Sequence, residues 1–451
     1  LVGSEMCIRD RSISSWFSNL KLRASYGMMG DDNLGGLYPD FAYLSGYTYY
    51  KGQSLMPDDP FSSVKSKKVI GSAPKGIPVT TISWMKIKLM NVGIDFGFFD
   101  NRLTGEFDLF KRMRDGIPGT PSDIMFPLET GLSALPENMN SDMTVGFDAF
   151  VKWNDKVGDL KYSVGANITF ARQKNGKRHG EIFGNAWDKY RWAQSNRWSN
   201  VVLNTDQGNA GGVWMWEVIG RFETQEQIDS YPVDQDGQNN ATVRPGDVIL
   251  RDVNGDGIIN DFDERPQAYA SADWPWDSST SNKNPLISMG INLGFEWKGF
   301  DVAADFAGGF KNTFVADWDL KWGVTRSVNG YYYNNIDVWR HEDIFDPKSP
   351  WIPGKFPALR GQESHSGRWW NSFYTREVNY LRLRNLVVGY SLPKNWIRKV
   401  GMEQCRIYFQ GTNLFCLSSL HDYGFDPEIS TVNGQDYPQH KVLTLGVNVK
   451  F

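Results

Sequence analysis

Cysteine is scarce in this chain, with three in 451 residues, too few for the disulfide framework of a small secreted domain. Cys405 and Cys416 stand at the two ends of one predicted strand. An extended chain would hold them about 36 Å apart at roughly 3.3 Å per residue, whereas a bridge needs Cα atoms within about 7 Å. Both are therefore expected as free thiols. Long hydrophobic runs are also missing, so no segment can serve as a transmembrane helix. The mean hydropathy of −0.46 does not exclude a membrane, because a barrel strand is only half apolar. An excess of either charge is lacking too: 48 basic and 52 acidic residues give a net charge of −4, without the basic surplus of a nucleic-acid binder. The five histidines, His179, His341, His365, His421 and His440, fall in predicted loops without metal-ligand spacing. No nucleophile elbow, dinucleotide fingerprint or phosphate loop occurs. Loop carboxylates are plentiful, but no glycosidase-like pair stands out. The expectation is a protein that is not an enzyme.

What the chain has in abundance is aromatic residues (18 Trp, 19 Tyr and 27 Phe) and glycine, of which there are 45. That combination favours strands, turns and exposed aromatic surfaces. The dominant pattern is two-residue alternation over about ten residues at a time. In 160–170 one face reads Leu160, Tyr162, Val164, Ala166, Ile168, Phe170, and the other Lys161, Ser163, Gly165, Asn167, Thr169. The alternation predicts ten strands, at 20–27, 84–98, 102–111, 144–153, 160–171, 288–297, 300–310, 377–391, 404–413 and 441–451. In 377–391 the phase slips between Leu383 and Leu386, which predicts a β-bulge near Asn385.

The connections alternate between short (100–101, 154–159, 298–299) and long (28–83, 112–143, 172–287, 311–376, 414–440), with a mid-length link at 392–403. Every long loop then emerges on one side, as in outer-membrane barrels. A soluble β-sandwich or jelly roll with insertions also alternates, but it has no reason to place long loops at one end every second time. Trp84, Phe98, Trp153, Phe170, Trp297 and Phe310 sit at strand ends, where aromatic girdles meet headgroups or where ordinary packing ends a strand. The fold class expected is all-β, the C-terminal part of a large antiparallel transmembrane barrel. Residues 1–11 start without Met and without a signal-peptide pattern. They resemble translated adapter sequence, so they are read as a non-native leader, Cys7 included, and the chain is expected to be truncated.

One metal motif is specific. Asp252, Asn254, Asp256, Ile258, Asn260 and Asp263 occupy the ligand positions of an EF-hand-type calcium loop, with Gly257 at its sharp turn. Asp263 replaces the usual Glu, and no amphipathic helix pair flanks the loop. The functional reading is a structural Ca²⁺ that pins a long loop; the alternative is a solvated Asp/Asn/Gly turn. The loops also carry Trp187, Tyr190, Trp192, Trp198, Trp214 and Trp216, then Tyr331–Tyr333, Trp339, Trp351, Trp369 and Trp370. Among these, Trp192, Trp214, Trp216, Trp369 and Trp370 are the candidates for stacking on a substrate or packing on a partner. The competing role is to pack the loops on each other. The 172–287 segment is long enough to form a folded subdomain.

Several segments resemble the SusC/RagA family of TonB-linked outer-membrane transporters: the block 82–103 with Gly93, Asp95, Phe96 and the Asn101–Arg102 turn; Pro245-Gly-Asp247 followed by Asp252–Gly257; the hairpin around Lys298–Asp301; the run 379–393; and Gly424–Glu428 with the closing Gly446 and Phe451. Together they span 12–451. The resemblance implies a 22-stranded barrel closed by an N-terminal plug and lying in the outer-membrane lipid. It also implies import of oligosaccharides or peptides, a SusD-like surface lipoprotein over the mouth, and energy delivered through the TonB complex. A siderophore or vitamin receptor without a lid, and a soluble secreted carbohydrate-binding β protein, are the alternatives. No nucleic-acid partner is expected.

Overall fold

The computed structural model describes residues 6–7, 17–32, 43–53, 69–74, 77–80, 83–121, 124, 126–127, 134–177, 185–187, 189–190, 213–268, 285–315, 337–358, 371–421, 425–428 and 439–451. Ten long strands form one sheet: β1 Phe17–Asp31, β2 Met85–Phe98, β3 Leu103–Gly119, β4 Glu137–Val157, β5 Leu160–Asn175, β6 Ile287–Trp297, β7 Phe300–Val315, β8 Thr375–Ser391, β9 Gln404–Thr412 and β10 Val442–Lys450. Each pairs antiparallel with its neighbours in sequence, from β1 through to β10. This all-β meander is the architecture expected of a large antiparallel β-barrel. The predicted strands are all present, and β3, β4 and β7 extend several residues further toward the long loops.

The short turns follow from local chemistry. Lys298 and Gly299 both have positive φ (46° and 89°), the two-residue geometry whose twist matches flanking strands. The β2–β3 turn is left-handed at Phe99, Asp100 and Asn101. The β7–β8 register jumps from Asp305↔Asn385 to Phe306↔Leu383, so Arg384 is the extra residue. That is the bulge which the phase slip demands, displaced by one position. A second bulge at Phe310–Lys311 was not legible in the alternation, because it lies where the apolar pattern has already ended.

Register makes the two faces continuous. On one face Leu22, Ile94, Phe107, Ala149, Ile168 and Met289 follow each other across β1 to β6, then Leu293, Ala304, Leu386, Gly411 and Leu443 across β6 to β10. These apolar side chains are not covered: Val92 is 58% exposed, Leu109 51% and Leu445 80%. The other face carries Arg23, Asp95, Asp108, Asp148, Asn167, Asn292, Asp305, Asn385 and Gln410. A sheet that leaves its apolar side uncovered and gathers its charged pairs on the other side inverts the usual soluble pattern.

The polar face is tied by ion pairs that reach over a glycine. Arg23 on β1 passes Gly93 on β2 to meet Asp108 on β3 at 2.9 Å and Asp95 at 2.6 Å. Arg406 on β9 passes Gly389 on β8 to meet Asp301 on β7. A Cβ at Gly389 would lie 2.6 Å from both Asp301 Oδ1 and Arg406 Nε, so only glycine leaves the path open.

The leader expectation concerns residues 1–11. Of these the structure describes Met6–Cys7, which pair with Leu22 and Lys21 at the outer edge of β1. Cys405 is buried and Cys416 half-buried, and both are free.

Candidate functional site

The long connections build a second, water-type core at one end of the sheet. Strand Val218–Arg221 pairs with Val248–Leu250, and Val213–Met215 with Arg265–Ala268. Between them the helix Gln225–Asp229 starts at Thr224, whose hydroxyl accepts the Gln227 amide. Trp216, Val248, Leu250 and Ile259 form one buried cluster, with Phe373 against it. Phe222, Ile228, Val243 and Ile249 form another. The module is not made by 172–287 alone. Trp216 bridges Asn371, the Val218 amide donates to Ser372 Oγ at 2.9 Å, and Arg221 donates to the Gly354 and Lys355 carbonyls. Two loops far apart in sequence therefore share one fold.

The calcium-type loop sits on this core. Gly255 (φ 78°) and Gly257 (φ 82°) supply the left-handed backbone of its turns. The Asp252 carboxylate accepts the amides of Gly255 at 2.6 Å and Gly257 at 2.9 Å. Asp256 accepts the Ile258 amide at 3.0 Å and the side-chain amides of Asn254 (2.8 Å) and Asn260 (3.0 Å). These bonds, led by the Ile258 amide, hold its carboxyl below the usual aspartate range. Asp263 is fully buried and accepts the amides of Val253, Asn254 and Asn260. Carboxylate oxygens of Asp252, Asp256 and Asp263 all lie within 4.8 Å of one another. The Ile258 carbonyl accepts from Asn260 Nδ2 at 3.4 Å. All six predicted positions thus meet in one turn.

The sequence reading missed the loop's partner, Asp234–Asn240. Its backbone exchanges hydrogen bonds with Gly257 and Ile259. Gln235, buried completely, bonds both backbone groups of Leu250. Burial opposes the charge on Asp236, but the Thr242 hydroxyl and amide and the Gln238 amide outweigh it and hold the carboxyl at about 2. The available signal was the Asp-x-Asp-Gly run at 234–237, a shortened echo of the loop it supports.

The aromatic candidates divide. Trp216 is buried, and its Nε1 donates to the Asn260 carbonyl at 2.8 Å. It joins the module core to the acidic loop, which corrects its place among substrate or lid contacts. Trp214 lies in the Val213–Met215 strand opposite Pro266. Trp192, Trp369 and Trp370 lie outside the described residues, as do Trp198 and Tyr331–Tyr333. Trp187 stacks on Tyr190 at 5.3 Å, meets Phe262 edge-on at 5.6 Å and lies under Arg265. Trp339 is buried, and the Trp351 ring lies tilted against His341 with centroids 3.9 Å apart.

A further group was not foreseen. The β8 bulge brings Arg382 and Arg384 together on the polar face. Arg382 meets Asp426 at 2.5 Å and Glu428 at 3.3 Å, and Arg384 also pairs with Glu428. Gln439 completes the cluster, donating to Glu428 at 2.8 Å. The β9–β10 loop is thereby clamped onto the inner wall, with Phe425 against Phe314.

No family model matches the chain. It is 23% identical over 462 aligned residues to the TonB-dependent receptor SusC of Bacteroides thetaiotaomicron, covering 100% of this chain and 39% of that one. It is 22% identical to the TonB-dependent receptor P39 of Formosa agariphila, over 96% of this chain and 40% of the relative. Among solved structures it resembles the RagAB peptide importer in its open-open state, with a TM-score of 0.65 and 19% identity over 100% of this chain and 42% of the other. The closed-closed state gives a TM-score of 0.63 at 21% identity. The chain spans about two fifths of the length of these relatives. The relatives are receptors and transporters, not enzymes. The neighbour-paired sheet with its uncovered apolar face and the end-to-end similarity to SusC make the chain similar to part of a SusC/RagA-type TonB-dependent receptor.

Proposed function

We propose that the chain is part of the wall of an outer-membrane importer that takes up oligosaccharides or peptides through a plugged barrel of the 22-stranded class. In this reading the apolar face contacts outer-membrane lipid, the polar face lines the lumen, and the long loops open to the cell exterior. A SusD-like lipoprotein covers the mouth, and the TonB complex supplies energy through the plug. The observation that carries the proposal is the apolar face running unbroken across ten paired strands, with its large side chains exposed. A soluble sandwich would bury that face against a second sheet, which disfavours the soluble carbohydrate-binding alternative. A siderophore or vitamin receptor without a lid differs in its partner, so a neighbouring gene for a SusD-type lipoprotein separates the two readings.

The test is uptake. Cells lacking the complete gene should lose import of a fluorescent oligosaccharide or oligopeptide, and a TonB-deficient strain should lose it equally. Import that persists in either strain overturns the reading.

For the acidic loop we propose a structural Ca²⁺ held by Asp252, Asn254, Asp256, Asn260 and Asp263 with the Ile258 carbonyl. All donors are hard oxygens, as calcium requires. Three carboxylates within 4.8 Å repel one another, and a divalent cation would relieve that repulsion. Ca²⁺ at about a hundred times its dissociation constant should stabilise the module by roughly 2.7 kcal/mol. Protease resistance of the full receptor in Ca²⁺ against chelator measures this, with Asp256→Asn expected to remove the difference. Equal resistance in both conditions sinks the proposal.

A further inference from the structure

Cations are distributed unevenly on the apolar face. At the end where the turns lie, strands β2 to β6 present Phe96, Phe98, Leu103, Trp153, Tyr162, Phe295 and Trp297 on it, with no lysine or arginine among the strand positions. At the loop end of the same face the register sets Lys86 and Lys88 on β2, Lys111 on β3 and Arg172 on β5. Lys111 stands opposite Val145, and Val145 opposite Arg172; Lys88 stands opposite Met113. Asp115 shares the patch and holds Lys88 at 2.6 Å. Further round the sheet Lys311 is paired with Glu377 at 2.9 Å.

Height along the strand fixes what these side chains meet. Lys111 is eight residues beyond Leu103, which is about 26 Å along a strand at roughly 3.3 Å per residue. At a tilt of about 40° this gives roughly 20 Å of elevation, near the upper edge of a band about 25 Å tall. Cations are disfavoured at the middle of that band and tolerated at its edges. β2 to β5 spans three strand spacings, about 14 Å, with Met113, Met143 and Val145 between the charged positions. A flat arrangement of cations around apolar side chains suits a headgroup phosphate above acyl chains better than a free anion in water.

Resting on the outer-membrane reading, we propose that Lys86, Lys88, Lys111 and Arg172 form a binding patch for the phosphate of a phosphorylated lipid in the outer leaflet. Lys111 and Arg172 flank the phosphate from either side of Val145, and Lys86 extends the patch at the β2 edge. Association is electrostatic at the headgroup and apolar beneath it, so it weakens with salt without vanishing.

Native mass spectrometry of the complete receptor in detergent, titrated with phosphorylated lipid A or with its dephosphorylated form, tests this. At least a ten-fold preference for the phosphorylated lipid is expected. The pair Lys111→Gln and Arg172→Gln should reduce that preference at least ten-fold, while Lys298→Gln at the opposite rim leaves it unchanged. Equal retention of the two lipids by the unaltered receptor overturns the patch without any variant. So does displacement of the lipid by millimolar inorganic phosphate, which would assign the site to free anions, or an equal effect of Lys298→Gln. A receptor that remains in the aqueous phase without detergent instead overturns the barrel reading on which the patch depends.

Discussion

The wall and the loop module solve the same problem in opposite ways. In the module Phe222, Met215, Val248 and Leu250 have no exposed surface, and burial in a close-packed core stabilises the fold. In the wall Leu443, Leu445 and Val447 on β10 are more than half exposed, and the strands are held by the ladder of backbone hydrogen bonds between neighbours. One chain thus carries two solvents' rules. Apolar side chains of the module avoid their surroundings, while those of the wall need apolar surroundings. The difference teaches that exposure of leucine is a defect or a requirement according to what lies outside.

Substitutions sharpen this contrast. The largest effect is expected for Phe222→Ala, which empties a fully buried site and should cost the module about 3–5 kcal/mol. Limited proteolysis would show cleavage within 213–268 while the barrel's resistance to heat in detergent is kept; loss of both would mean that wall and module unfold as one unit. Next comes Leu293→Arg, opposite Val164 in the middle of the apolar face. It should cost about 2–4 kcal/mol in a bilayer, whereas Asn167→Lys on the polar face should be nearly neutral. Urea unfolding in lipid vesicles measures both, and equal costs would break the assignment of the two faces.

The module should also respond to acid. The Asp236 carboxyl, at about 2 when folded against about 3.9 unfolded, contributes roughly 2 kcal/mol. That stability is complete above about pH 4 and is lost as pH falls toward 2. Asp236→Asn should flatten the acid limb of module unfolding, read as protease sensitivity between pH 5 and 2. The smallest effect is expected for Gly389→Ala, whose methyl group enters the path between Asp301 and Arg406. A cost of about 1–3 kcal/mol fits displacement in a packed site. The same change combined with Asp301→Asn and Arg406→Gln should cost less, because the obstructed pair is gone.

Much of the wall was legible because a strand's period of two is local, and Leu160–Phe170 needs no partner to display it. The bulge at Arg384 was legible for the same reason, since an extra residue shifts the phase. The acidic turn was legible through its spacing, because Asp, Asn and Gly at fixed steps specify a tight local turn. Trp216 was misjudged because a tryptophan beside polar residues reads alike whether it covers a core or faces a ligand. Its burial depends on Asn371 and Ser372, more than 150 residues away. The Arg382, Arg384, Asp426 and Glu428 clamp escaped for a related reason: opposite charges on different elements advertise no pairing until the chain is folded.

By itself the sequence determined the ten long strands, their two-faced character, the side on which long loops emerge and the acidic turn, since all of these arise from periodicity and backbone preference within one segment. Tertiary structure alone decided that two distant loops share a core, that glycines at 93 and 389 open paths for ion pairs across an intervening strand, and that cations from separate strands gather at one end of the apolar face. Each of those depends on register between strands, and register is fixed by hydrogen bonding between segments rather than by any segment alone.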